Sequence, residues 1–222
     1  MRAEIVKISF DNPEPSLVKY AADQIRSGEV LGMPTDTFYG LAADPFNLRA
    51  VDKVYDIKTR SRHKPLSLLI DSVDQAEELA KDLPDEFYAL ARKFWPGPLT
   101  IIVKAGSRLP LKVTANTGNV ALRVPNAKIP LAVVTAAAIP ITATSANLSG
   151  ASECTSAEQV RDQLQGRISI IVDGGTSPRD VASTIVDLTD GSARWRIIRE
   201  GAIAADQISS FFAAGNTEET GA

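Results

Sequence analysis

The sequence predicts one α/β domain built on a mixed sheet, and three observations carry that reading. Short β-rich runs alternate with stretches of helical period from Ser16 to Arg199. The 222 residues are 44% hydrophobic, enough for a sizeable core, and show neither an internal repeat nor a domain linker. Residues just after the predicted strands are small, polar or basic, as at the ligand crevice of an open α/β sheet.

Taken in order, Ser16–Ser27 reads as a helix with Leu17, Tyr20, Ala21 and Ile25 on one face and Gly28 as its stop. Val30–Met33 is a buried strand that runs into Pro34-Thr35-Asp36-Thr37. Hydroxyls and a carboxylate there suit either a small polar ligand or an Asx/Thr turn capping the next segment. Asn47 caps a helix whose face carries Leu48, Val51, Val54 and Tyr55, and Lys58 continues that face. Pro65 ends any helix, and Leu66–Ile70 is a strand. Ser72 and Gln75 make a capping box for a helix to about Leu83. A further helix from Pro84 turns Phe87, Leu90, Ala91 and Phe94 inward and stops at Trp95-Pro96-Gly97-Pro98.

Leu99–Lys104 and Asn119–Val124 are strands; in the second, Arg123 alternates away from Val120, Leu122 and Val124, toward solvent or a cleft. Ile129–Ala138 is an almost wholly apolar helix, hence buried. Pro140–Thr144 is a strand leading into Ser145-Ala146-Asn147-Leu148-Ser149-Gly150, either a plain loop or one whose N–H groups and hydroxyls ring a phosphate. Thr155 and Glu158 box a helix through Leu164. Strands follow at Ile168–Asp173, Ala182–Leu188 and Trp195–Arg199, then a short helix at Asp206–Ala213 and a frayed tail from Gly215. The organisation is a segment 1–14, a domain 15–203, and a helix with tail over 204–222.

Composition excludes several chemistries. A net charge of −3, from 24 Lys+Arg against 27 Asp+Glu, disfavours broad binding to nucleic acid, though a local basic patch leaves room for weak RNA contact. One His and one Cys rule out a Cys/His zinc site, and no protein metal ligands are expected. Any metal is a hard, oxygen-ligated Mg²⁺ brought in by phosphates. A Ser-His-Asp triad would need His63, which sits in a basic cluster. Neither a P-loop nor a Gly-x-Gly-x-x-Gly fingerprint is present. The lone Cys154, with no secretory leader and no apolar run of membrane-spanning length, suits the cytoplasm and no membrane partner.

The densest signal is the corner Lys58–Lys64, where five of seven side chains are basic in type: Lys58, Arg60, Arg62, His63 and Lys64. Such a cluster is either a solvated charge run or a site for an anion held beside the core. Its place between a helix and a strand favours the second.

Several stretches together resemble the Sua5/YrdC/YciO family: MPTDTFYGLAAD (33–44), KTRSRHKPLSLLI (58–70), FWPGPLTIIV (94–103) with ALRVPN (121–126), and TSANLSG (144–150). DGG (173–175), ASTIVDLT (182–189) and IIREGAI (197–203) extend the match, so it covers about residues 15–203. The resemblance implies a twisted open sheet with flanking helices around a positively charged concave cavity. It implies L-threonylcarbamoyladenylate synthase activity of the short, single-domain type. L-threonine, bicarbonate and ATP would give threonylcarbamoyl-AMP and pyrophosphate, which a downstream threonylcarbamoyl-transferase complex uses for the t⁶A modification of tRNA.

Position by position, the resemblance implies that Thr35, Arg123, Ala143 and Ser183 meet L-threonine. Lys58, Arg60 and Arg62 would grip the ATP phosphates, with Lys58 and Arg60 as the catalytic pair. Asn119, Ser145, Asn147, Glu153 and Arg199 would complete the ATP site. Two departures stand out: Thr59 where many relatives have glycine, and Asp36 where glutamate is common. The YciO-type branch lacks much of the Lys-x-Arg/Ser-x-Asn set, which this chain keeps in full; the alternative is a non-catalytic RNA- or nucleotide-binding protein of that branch. A carbamoyl-phosphate-using domain of hydrogenase-maturation proteins resembles the same fold, but its acylphosphatase and zinc-finger-like companions are not found in these residues. The reaction requires no protein nucleophile, only positioning and charge neutralisation.

Overall fold

A computed structural model of the chain describes residues 3–190 and 195–218, with side chains to residue 213. The elements are β1 (Glu4–Lys7), α1 (Pro15–Arg26), β2 (Leu31–Met33), β3 (Gly40–Ala42), α2 (Leu48–Lys58), β4 (Ser67–Leu69), α3 (Val73–Leu79), α4 (Asp85–Phe94), β5 (Leu99–Lys104) and α5 (Leu111–Thr114). They continue as β6 (Asn119–Arg123), α6 (Lys128–Ala137), β7 (Ile141–Thr142), β8 (Thr144–Ser145), α7 (Ala157–Gln163), β9 (Ile170–Asp173), β10 (Thr184–Asp187), β11 (Arg196–Arg199) and α8 (Ala205–Glu218).

The α/β class holds, but there are two mixed sheets where the sequence suggested one. A five-stranded sheet has the order β1-β9-β2-β3-β8, and a six-stranded sheet the order β11-β10-β5-β6-β4-β7. They are joined where the predicted strand Pro140–Thr144 breaks in two. Ile141 and Thr142 pair with β4, and Thr144 and Ser145 pair with β3. Ala143 is the residue between, its N–H bonded to Ser67 O at 2.8 Å. A single extended run thus changes sheets, and no local pattern in five residues encodes that.

The five-stranded sheet is buried on both faces, with Leu41 and Ile171 turned to the larger cluster, whereas the six-stranded sheet buries one. Val18, Ala21, Ala22 and Ile25 of α1 and Ile129, Val133 and Val134 of α6 cover the first sheet at Leu31, Ile170 and Val172. Leu99, Ile101 and Val103 of β5 and Val120 and Leu122 of β6 join the larger cluster with Val51 and Val54 of α2 and Phe87 and Leu90 of α4. The alternate residues of β5 and β6, namely Thr100, Ile102, Ala121 and Arg123, therefore lie on the opposite face, where the cavity is.

α2 starts where predicted: Asn47 Oδ1 accepts from the N–H groups of Arg49 and Ala50 at 3.1 and 3.2 Å. Val51, Val54, Tyr55 and Lys58 form its buried face, whereas Leu48 at the first position is 46% exposed. The helix ends on Thr59 with φ 52°. A left-handed β-branched residue is strained there. Thr59→Gly is expected to raise stability by about 1 kcal/mol, after loss of an exposed bond from Arg167, and the melting temperature by about 2 °C; a thermal melt checks this.

Other boundaries shift for local reasons. α3 ends at Leu79, not Leu83, because Ala80 bridges to Ala105. Its box is split: Ser72 Oγ accepts from Gln75 N, but the Gln75 side chain accepts from Asp71 N. α7 is capped by Ser156, with Gln159 as its partner, one residue later than the Thr155–Glu158 pairing expected. α6 is apolar but not wholly buried, since Thr135 and Ala136 face outward. The segment 1–14 supplies β1, which pairs in parallel with β9. α8 runs through Gly215 to Glu218 instead of fraying there; residues 219–222 of the expected tail lie outside the described residues. Trp195 stacks on Phe212 and Phe94 meets Phe211 edge-on, which docks α8 against α4. Among the described residues no helix is long and apolar enough to cross a membrane.

Candidate active site

A cavity of about 380 Å³ opens between the two sheets. Its floor is the free face of the six-stranded sheet, with rows set by register: Ile185 opposite Thr100, Ile102 opposite Ala121, Ala121 opposite Ser67, and Leu69 opposite Arg123. Its walls are Thr35, the stretch from Thr37 to Gly40, the corner after α2, and Ala143–Ser145. The charged residues lining it are Arg60, Lys64, Arg123 and Arg199 against the single carboxylate of Glu153. A chain of net charge −3 thus concentrates cations at one concave site.

Arg123, 6% exposed, is the most constrained of these. Its Nε donates to Gly97 O at 2.9 Å, Nη1 to Thr37 Oγ1 at 3.0 Å, and Nη2 to Asp36 Oδ1. Two N–H groups remain, one on each terminal nitrogen, as a fork for one carboxylate. Burial pulls the guanidinium's pKa down, Asp36 pushes it up, and Arg199 and Arg179 lower it. Asp36 Oδ2 is buried with no hydrogen-bond partner. Thr35 Oγ1 accepts from Thr37 N at 3.1 Å, which closes the turn, and both threonines line the cavity.

Ser183 Oγ lies 2.9 Å from Thr100 Oγ1 on the floor. Arg199 donates to Ser183 O from Nη2 at 2.8 Å and from Nε at 3.2 Å, which sets its remaining N–H groups beside Ser183. Glycine is required at 201, where a Cβ would fall 2.6 and 2.7 Å from Ser183 C and O. That close approach fixes the Ser183–Arg199 corner.

Lys58 does not line the cavity. It is 2% exposed and lies behind the wall. Its ammonium donates to Ser145 O, to Asn147 O at 2.9 Å and to Asn147 Oδ1 at 2.8 Å, which uses all three protons. Burial, then the charge of Arg60, pulls its pKa down to about 8. Asn147 sits behind the wall too, accepting from Ser145 Oγ at 2.7 Å and donating to Ala151 O at 2.6 Å. The N–H groups of Ala146, Asn147 and Ser149 bond to Tyr39 O, Ser145 O and Lys58 O. They are therefore not free to ring a phosphate; the loop is rigid because its amides are spent on the protein. What it offers the cavity is Ser145.

A family model covering Sua5, YciO and YrdC, described as telomere recombination, matches residues 23–201. The chain belongs to the Sua5/YciO/YrdC family. Threonylcarbamoyl-AMP synthase of Bacillus subtilis is 38% identical over 205 residues, covering 92% of this chain and 58% of that protein. The structure of Pyrococcus abyssi Sua5 complexed with L-threonine superposes with a TM-score of 0.90 at 35% identity, covering 94% of this chain and 61% of that one. E. coli YciO superposes with a TM-score of 0.82 at 25% identity, covering 90% and 96%. The chain spans little more than half the length of the B. subtilis relative.

Of the residues expected from the family, Thr35, Arg60, Arg123, Ala143, Ser145, Glu153, Ser183 and Arg199 line one cavity. Lys58 and Asn147 support its wall. Asn119 lies apart, donating to Thr189 Oγ1 at 3.2 Å. Arg62 also lies apart: its guanidinium is held on the surface of α2 by Asp52 and Asp56. Acidic residues one turn apart on α2 capture it before it can reach the cavity. Arg62→Ala is expected to leave the KM for ATP within about threefold, as for an exposed ion pair; steady-state kinetics checks this. Thr37, Lys64, Ser67 and Thr100 line the cavity without having been singled out as site residues. A lone hydroxyl in the apolar run of β5 was the available signal for Thr100.

Proposed function

We propose that this chain is an L-threonylcarbamoyladenylate synthase, making threonylcarbamoyl-AMP and pyrophosphate from L-threonine, bicarbonate and ATP. The observation that carries this reading is one cavity holding two kinds of anion site. Arg123 keeps a two-pronged fork for a carboxylate, and Arg60, Lys64 and Arg199 supply cations for phosphates. The likeness to a B. subtilis threonylcarbamoyl-AMP synthase and to a Sua5 complexed with L-threonine supports it.

In this reading the amine of L-threonine bonds to the carbon of bicarbonate with loss of water, giving a carbamate. A carbamate oxygen then attacks the α-phosphorus of ATP, and the bond to pyrophosphate breaks. Arg123 orients the amino acid, and the cations at the other anion site offset charge building on the leaving group. Arg60 touches the reacting groups; Lys58 is a positioning residue that fixes Ser145 from behind.

Among the described residues no cluster of three or more His, Cys, Asp or Glu could hold a metal ion. A cavity lined by four cationic side chains and one carboxylate fits a Mg²⁺ that arrives held by the oxygens of the triphosphate, with no protein ligand required. Such an ion would neutralise phosphate charge. The product would pass to a transferase complex that modifies tRNA in the cytoplasm.

Pyrophosphate release from ATP, Mg²⁺ and bicarbonate that depends on L-threonine is the expected result. Its absence, with RNA affinity that falls steeply with salt, would favour the YciO-like RNA-binding alternative.

A further inference from the structure

The hydroxyls beside Arg123 have a fixed direction. Thr35 Oγ1 donates to Phe38 O at 2.7 Å. Its proton is committed there, so the 3.0 Å bond between Thr35 Oγ1 and Thr37 Oγ1 carries the proton of Thr37. Thr35 Oγ1 also accepts from Thr37 N, which leaves it neither proton nor lone pair for a ligand. Thr37 Oγ1 donates to Thr35 and accepts from Arg123 Nη1, which leaves it one lone pair and no proton. Thr37 is 5% exposed and lines the cavity. The two side chains that Arg123 holds beside the carboxylate fork, Thr37 and Asp36, therefore both present acceptors, and of these Thr37 lines the cavity. The same corner already holds a buried acceptor without a donor, Asp36 Oδ2.

We infer that Thr37, not Thr35, takes an N–H of the substrate's α-amine. This rests on the proposed reading of the cavity as an L-threonine site. A ligand whose carboxylate occupies the two spare N–H groups of Arg123 carries its amine one carbon away, next to the residue that Arg123 itself donates to. An acceptor without a proton matches an amine and repels a second oxygen anion. The bound ammonium first loses one proton to solvent; the amine that still donates an N–H to Thr37 then has its lone pair free, and that pair must form the bond to the bicarbonate carbon. Thr37 is thus a positioning and selecting residue for amino acids over simple hydroxy acids. Thr35 shapes it by accepting its proton.

The test compares L-threonine with (R)-3-hydroxybutanoate, which is L-threonine without the amine, by calorimetric titration and competition. Thr37→Val is isosteric and lacks the acceptor; Thr37→Ser keeps it. Thr37→Val is expected to weaken L-threonine roughly 10-fold, the worth of one hydrogen bond to a charged group, and to leave 3-hydroxybutanoate within about twofold. Thr37→Ser should restore L-threonine to within about threefold of the unaltered protein. Equal losses for both ligands would mean the hydroxyl only holds Arg123, and no loss for either would mean it touches nothing; each result overturns this inference alone. Failure of the unaltered protein to bind L-threonine overturns the proposed function, and this inference with it.

Discussion

Arg123→Ala is expected to cut threonine-dependent pyrophosphate release at least 100-fold and to destabilise the fold at the same time. The kinetic part follows from the fork: two charge-assisted bonds to a carboxylate are each worth roughly 1.5–3 kcal/mol. The stability part follows from Asp36. Its carboxylate is 4% exposed and pairs only through Oδ1, because Oδ2 already has no partner. Removing the guanidinium strands a buried charge with neither oxygen matched, which costs about 3–5 kcal/mol. The fall in melting temperature should be roughly 10 °C for a chain of this size. Activity alone cannot separate these effects, so a second variant does. Combining Arg123→Met with Asp36→Asn removes the stranded charge and should recover more than half of the lost stability while activity stays absent. A double variant that recovers turnover would sink the role given to Arg123.

Lys58→Ala is expected to lower turnover roughly 10- to 100-fold through the wall and not through a lost phosphate contact. The substitution takes one donor each from Ser145 O, Asn147 O and Asn147 Oδ1, and Ser145 is the part of that wall facing the cavity. The same bonds predict a pH dependence. With the ammonium's pKa pulled down to about 8, activity should fall as pH rises through that value, since a neutral amine has two protons for three acceptors. Stability from this group moves the other way. The unfolded lysine keeps its proton to 10.5, so between about 8 and 10.5 the unfolded state binds more protons and rising pH favours folding. Denaturation curves beside rate profiles therefore distinguish a lost proton from a lost fold. Lys58→Arg keeps its charge throughout and should lack the alkaline limb. An alkaline limb unchanged in that variant would remove Lys58 as its source.

Much of the site was legible because strand ends and helix faces obey short periods. Alternation put Arg123 opposite Val120 and Leu122, and the helical stripe of α2 carried Lys58 inward behind Val54 and Tyr55. Asn47 announced its helix by a local bond that needs no tertiary contact. The position of Arg62 was not legible because it depends on Asp52 and Asp56, whose side chains hold it on the same helix surface. Lys58 lies inward as the stripe predicts, and the structure pairs it there with Ser145 and Asn147. The state of the loop amides at 146, 147 and 149 stayed open in the sequence because their partners, Tyr39, Ser145 and Lys58, include residues remote in sequence.

The sequence by itself determined the α/β class, the helix faces, most strand positions and the residues that carry charge, since each follows from spacing within a few positions. Only the tertiary structure decided that Pro140–Thr144 splits between two sheets, and which donors and acceptors are left over after folding. Those leftovers, two N–H groups on Arg123 and one lone pair on Thr37, arise from pairings across the whole chain. Hydrogen-bond capacity is counted after every other partner has taken its share, and that count exists only in three dimensions.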